Sequence, residues 1–406
     1  MCSNTLVARS RRAIKLVAFL TLALCELLIA VSSAQAQTFT VLHTFTGPPD
    51  GNHPIGGLIL DAAGNLYGTT SQGGASYRGT VFRLTPAGKE TVLYSFDAGY
   101  GEYPNTTLVR DAKGALYGTT FYGGAYNKGA VFKLDTKGNE TVLYSFRGGA
   151  DGYWPNAVIR DAQDNLYGTT DAGGKSACGY GCGTVFKLDK AGRRTTLYRF
   201  TGGTDGMYPS AGLVRDSAGN LYSVTGQGGD LGCNRGIGCG TVFKLDTAGR
   251  KSVLYIFTGA SGDGDYPVGV VRDKNGTFYG ATSWGGNYSC GTVFRLEADG
   301  KETVLHGFTG TGGDGCSPPS GVVLDTSGNI YGTTQSGGVN YGVVFKLDTA
   351  GKETILHSFT DGTDGAYPYA GVMLGKAGNI YGVASDGGDH NCGQHVGCGT
   401  VFKLTP

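Results

Sequence analysis

Beyond its first 36 residues this chain has no window of apolar residues at helical spacing and no second long hydrophobic stretch. The first absence excludes a helical bundle, and the second excludes a later membrane-spanning helix. Charge of either sign is scarce in excess: 33 Lys+Arg stand against 32 Asp+Glu. Without residues 1–36 the balance is 29 against 31. That is too even to leave an electrostatic footprint for nucleic acid or for a polyanionic partner. Serine is present, but no Gly-x-Ser-x-Gly elbow accompanies it, so a hydrolytic triad has no support.

The opening segment reads as an export signal. Arg9, Arg11, Arg12 and Lys15 precede a largely apolar run from Leu16 to Val31, and Ala34-Gln35-Ala36 matches a small-x-small cleavage site. Residues 1–36 are therefore expected to be removed. One domain spanning 37–406 would remain, exported to the periplasm or beyond it and without a stable membrane anchor after cleavage. Glu26 interrupts the apolar run, which argues against a permanent span.

The rest is repetition. An apolar residue followed by Tyr-Gly-Thr-Thr, or a close variant, recurs with marker tyrosines Tyr67, Tyr117, Tyr167, Tyr222, Tyr279, Tyr331 and Tyr381, spaced 50, 50, 55, 57, 52 and 50 residues apart. A period near fifty in a Gly-rich, helix-poor chain marks one β-sheet unit repeated, with insertions in its loops. In one unit, Thr107–Arg110, Ala115–Thr120, Ala130–Leu134 and Glu140–Phe146 alternate as strands, separated by Gly-bearing turns. The fold class expected is all-β: a seven-bladed β-propeller of four-stranded antiparallel blades. Residues 38–45 match a fourth strand that no earlier strands precede, whereas the last unit (about 367–405) lacks one. The N-terminal strand is thus expected to complete the last blade and close the ring.

The run Gly-Asn-Leu-Tyr-Gly-Thr-Thr, then Gly-Gly, then Gly-Thr-Val-Phe-(Lys/Arg)-Leu, resembles the GloVer tandem repeat of exported bacterial proteins, across essentially everything after the leader. The resemblance implies export and a propeller of repeats, and it carries over no catalytic residues. No C-terminal anchor is expected, since none is recognisable in the sequence.

Eight of the ten cysteines lie beyond the leader, an even number suited to an oxidising compartment. Cys178/Cys182, Cys233/Cys239 and Cys392/Cys398 bracket the same loop, between second and third strands. Cys290 takes the position of Cys182, Cys239 and Cys398 without a local partner, so Cys316, in the loop to the next blade, is its expected mate. In an up-and-down blade these two loops lie on one face. His390 and His395 flank Cys392 and Cys398 at a metal-ligand spacing. The same cysteine pair recurs as Cys233/Cys239 without histidines, which favours a disulfide over a metal site. His43, His306 and His357 interchange with tyrosines of other fourth strands and read as packing.

Each blade entry carries an aromatic-Pro step: His53, Tyr103, Trp154, Tyr208, Tyr266 and Tyr367, broken only by Ser317. Most follow Asp-Gly, at Asp50, Asp151, Asp205, Asp263, Asp314 and Asp364; the second blade has Tyr100 instead. Were these loops to converge, aromatic plates could stack on sugars, and carboxylates could accept hydroxyls or hold Ca²⁺. The competing reading makes Asp-Gly a turn and the aromatic a filler between blades. Arg110, Arg160, Arg215 and Arg272 each precede an aspartate at one first-strand position and read as solvated turn charges.

No cofactor is required by these patterns, and no unit carries a singular acid/base constellation. A binding or interaction module, monomeric, for carbohydrate or another cell-envelope component such as an envelope protein is the expected function. A lyase or glycan-active enzyme and a structural extracellular scaffold are the rival classes.

Overall fold

The computed structural model describes residues 37–406 apart from positions 98, 100, 261, 393 and 394. The export signal read in residues 1–36 and the departure at Tyr100 therefore lie outside the described residues. Among the described residues no helix is long and apolar enough to cross a membrane.

Among the described residues, seven antiparallel sheets of four or five strands follow one another along the chain, with two further two-stranded pairs. The second blade is typical: Val109–Arg110, Leu116–Thr120, Ala130–Leu134 and Glu140–Ser145 pair in sequence order. Its first strand is shorter than the alternation predicts. The residues before it leave the ladder and bond to the preceding blade, where the Thr106 carbonyl accepts from Thr69 Oγ1 at 3.4 Å. The fifth blade is the exception, its first strand running Gly264–Arg272 with a bulge between Pro267 and Gly269.

Closure occurs as expected. Thr38–Thr44 is the outermost strand of the last sheet and pairs with Thr400–Thr405. Residues Phe39–Thr405 form one compact unit.

The repeated residues explain the ring. At each blade boundary a fully buried Phe just past the fourth strand meets, edge to face, a third-strand Phe of the next blade. The pairs run from Phe45–Phe82 at 5.2 Å, across the closure, through Phe96–Phe132 and Phe308–Phe345 at 5.1 Å, to Phe359–Phe402 at 5.3 Å. Edge-on aromatic pairs contribute about 1 kcal/mol each beyond their burial. The marker tyrosines belong to the opposite turn. Asp61 Oδ1 accepts the amides of Ala63 and Asn65, while Oδ2 takes Asn65 Nδ2 and the Tyr67 hydroxyl at 3.0 Å. Asp161 and Tyr167 repeat the arrangement. The first-strand arginines stack there too, Arg110 over Tyr67 and Arg215 over Tyr167.

Candidate functional site at the channel mouth

The residue after each blade-entry proline reaches the centre. Ile55, Asn105, Asn156, Ser210, Val268 and Tyr369, with Pro319, line a channel cavity of about 580 Å³. No charged side chain is among the lining residues.

The residue before each proline holds a left-handed backbone. φ is 54° at His53, 55° at Tyr103, 58° at Trp154, 56° at Tyr208, 57° at Tyr266, 57° at Ser317 and 52° at Tyr367. For bulky residues this conformation costs about 1–2 kcal/mol each, and it persists only where the surroundings over-determine it. Here they do. The amide donates to the preceding blade, as in Trp154 N to Lys128 O (3.2 Å), Tyr208 N to Cys182 O (3.0 Å) and His53 N to Cys398 O (3.2 Å). The carbonyl accepts from the end of its own second strand, as in Phe121 N to Tyr103 O (3.2 Å) and Gly226 N to Tyr208 O (2.9 Å). The proline then seats on a glycine of the previous blade. A Cβ at Gly129 would lie 2.5 Å from Pro155 Cδ, so only glycine fits.

The six aromatic-Pro side chains are half-buried and meet different neighbours. Trp154 stacks parallel on Phe121 of the second blade, centroids 5.2 Å apart, with Tyr153 and Tyr180 at 4.8 and 5.8 Å. Tyr266 covers Gly226, where a Cβ would fall 2.9 Å from its ring. Tyr103 meets Tyr122, and Tyr367 meets Tyr341, each at 5.8 Å. His53 Nδ1 lies 2.7 Å from Asp386 Oδ1 of the last blade.

The carboxylates go elsewhere. Four bond back to the fourth-strand residue of their own loop: Tyr144 to Asp151 (2.7 Å), Tyr198 to Asp205 (2.7 Å), His43 to Asp50 (3.2 Å) and His357 to Asp364 (3.0 Å). Asp263 and Asp314 accept from Thr258 and Thr309, backbone and hydroxyl. The aspartates thus close turns rather than join the aromatic residues in a ring that could share a Ca²⁺.

All four expected disulfides form: Cys178–Cys182, Cys233–Cys239, Cys290–Cys316 and Cys392–Cys398. Cys392 and Cys398 are thereby withdrawn as metal ligands. His390 and His395 are exposed; His390 Nε2 lies 2.6 Å from the Asp361 carbonyl and Nδ1 3.2 Å from that of His395.

Two features were not foreseen from the sequence. The first is Asp171, at the end of the third blade's second strand, where other blades carry Ser71, Phe121, Gly226, Ser283, Gln335 and Ser385. Its Oδ1 accepts from channel-lining Asn156 at 2.7 Å. Enclosure pushes its carboxyl up to about 6, against the pull of Asn156. Aligning the residue after Tyr-Gly-Thr-Thr across the blades would have found it. The second is a set of exposed side chains on the loops between second and third strands, Tyr180 at 68%, Tyr77 at 67%, Tyr288 at 65% and Val339 at 53% exposure, with Trp284 at 50% near the end of the fifth blade's second strand. Large apolar side chains beside the Gly-Gly pairs were their signal.

These features define an all-β, seven-bladed propeller with a loop face of aromatic side chains around a neutral channel. The chain belongs to the family described as the Gloeobacter/Verrucomicrobia repeat, matched over residues 29–180, 109–236 and 231–406. No curated protein matches it. Among solved structures it is similar to the extracellular domain of a two-component system from B. thetaiotaomicron, at 12% identity and TM-score 0.55, over 91% of this chain and 42% of that one. It is also similar to a gluconolactonase from Xanthomonas campestris, at 13% identity and TM-score 0.45, over 93% and 92% of the two chains. A luciferin-regenerating enzyme aligns at 12% identity and TM-score 0.41, over 90% and 95%. At such identities the likeness concerns the fold alone.

Proposed function

We propose that this protein is an exported binding module that takes a carbohydrate or similarly hydroxylated envelope component at the channel mouth. The observation that carries the reading is the set of aromatic residues locked in left-handed backbone around that mouth. Strain maintained by two-sided hydrogen bonding fixes side chains where a ligand can meet them. Trp154 on Phe121, with Tyr153 and Tyr180 beside it, offers the broadest platform. Asn156 and Asp171 supply polar partners at its foot. Four disulfides suit an oxidising compartment outside the cytoplasm.

The test is binding of the mature chain to a glycan and cell-wall polysaccharide array. Saturable binding that drops at least tenfold in Trp154→Ala and Tyr208→Ala, with unchanged circular dichroism, is expected. An array without a hit would transfer the role to protein interaction. One observation favours a catalytic second reading: Asp171 breaks the repeat symmetry with a carboxyl held near 6. If glycan turnover is found and disappears in Asp171→Asn while binding persists, the module is an enzyme.

A further inference from the structure

At six of the seven blade boundaries a turn aspartate and its fourth-strand neighbour lie beside the start of the next blade's fourth strand. The third residue, at that start, varies. At the boundary of blades two and three it is Arg194, whose Nη1 lies 3.0 Å from Asp151; at the next it is Lys251, with Nζ 3.0 Å from Asp205. Both side chains are almost wholly buried, at 5% and 3% exposure. The niche is therefore a cation site that the protein fills from within.

At the boundary of blades five and six the third residue is Glu353, and the fourth-strand residue is His306. His306 Nε2 lies 3.5 Å from Asp314 Oδ1 and 3.6 Å from Glu353 Oε1. All three donor atoms fall within 4.8 Å of one another. These separations are too long for hydrogen bonds, and His306 Nε2 and Glu353 Oε1 are buried with no hydrogen-bond partner. They do suit a bound ion: ligands held at about 2.1 Å around a tetrahedral centre stand about 3.4 Å apart.

The support around the donors is fixed. Asp314 Oδ2 is held by Thr309 through amide and hydroxyl, and Oδ1 takes the Gly315 amide at 2.6 Å. Cys316, two residues on, is tied to Cys290, the one disulfide among the four that leaves its own loop. Oriented carboxylates and a rigid loop are what a preorganised metal site needs. The blade-seven boundary shows the contrast. There Phe39 replaces the glutamate and stacks on His357 at 3.6 Å, so a ring fills the niche. At the first boundary His43 bonds Asp50 directly at 3.2 Å, which commits the imidazole.

We infer that His306, Asp314 and Glu353 bind one small divalent transition-metal ion, with Zn²⁺ the best match to one imidazole and two carboxylates in a compact set. The ion would do at this boundary what Lys251 does two boundaries earlier, bridging adjacent blades.

The experiment is titration of chelator-stripped mature protein with Zn²⁺, followed by calorimetry and by melting temperature. One equivalent per chain is expected, with a rise in melting temperature. Glu353→Lys, which copies the Lys251 boundary, should weaken Zn²⁺ binding at least about 100-fold while keeping the fold. His306→Tyr, which copies Tyr198, should do the same. His43→Tyr should leave one equivalent bound. Absence of Zn²⁺ binding by the wild-type chain up to millimolar concentration would overturn the inference. So would binding that survives unchanged in Glu353→Lys, since the ion would then sit elsewhere. The result is independent of the glycan array, which reads a different face residue set.

Discussion

The boundary between blades three and four and that between blades five and six share one backbone and one phenylalanine pair, Phe200–Phe243 in the first and Phe308–Phe345 in the second. They differ in what faces the turn aspartate. Lys251 compensates Asp205 directly, and burial pulls its ammonium below the usual value while Asp205 pulls it back. Glu353 adds a second acid beside Asp314, and burial pushes its carboxyl up to about 7. One architecture thus tolerates opposite charges at one position, provided that something neutralises the acid. Neutralisation comes from a side chain in one place, and from a proton or an ion in the other.

The most damaging way to break the comparison is Lys251→Glu, which converts a filled niche into one with an unmatched acid. Losing one partner of a buried pair costs about 3–5 kcal/mol, and the added charge deepens the loss. Urea denaturation should register it; a cost below 1 kcal/mol would show that Asp205 does not need its cation. Next comes the aromatic version, Phe39→Ala, which removes the stack on His357 and the contact with Phe402 at 5.4 Å. Phe39 is half-buried, so a loss of about 2 kcal/mol is expected, below the range for a fully buried ring. Glu353→Lys should instead stabilise by about 1 kcal/mol in chelator; a loss of that size would mean the two boundaries are not interchangeable.

The smallest effect is a pH dependence at Glu140 and Glu302. Burial raises both carboxyls from their ordinary 4.5 to about 7, with Asp263 adding to the effect at Glu302. Between those values the folded chain keeps protons that the unfolded chain releases, so stability is fully present below about 4.5 and falls as pH rises through 7. Both sites are half-exposed, and solvent screening trims the effect. Glu140→Gln should raise the melting temperature at pH 8 by about 2 °C and leave it unchanged at pH 4.5. An equal shift at both values would disprove the titration.

The architecture was legible because each turn and strand repeats its own marker. Asp61 and Tyr67 return as Asp161 and Tyr167, and Cys290 could be matched to Cys316 by loop position alone. The turn partnership of Tyr144 with Asp151 was also within reach, at a fixed spacing of seven residues. What stayed hidden depends on blades meeting side by side. His306 and Glu353 come from neighbouring units, and no local pattern states which residues oppose each other across a boundary. The left-handed backbone at Trp154 was invisible for a further reason: residues before proline favour extended conformations, and what opposes that preference here, the bond to Lys128 O and the stack on Phe121, comes from the neighbouring blade.

The closure strand has a consequence in time. Residues 38–44 are made long before their partner, residues 400–405. Until then the earlier strand is an unpaired edge, and the ring cannot latch. Contacts this distant in sequence slow folding and prolong exposure to misassembly. A ring built this way can latch only after the strands of its seventh blade have been made.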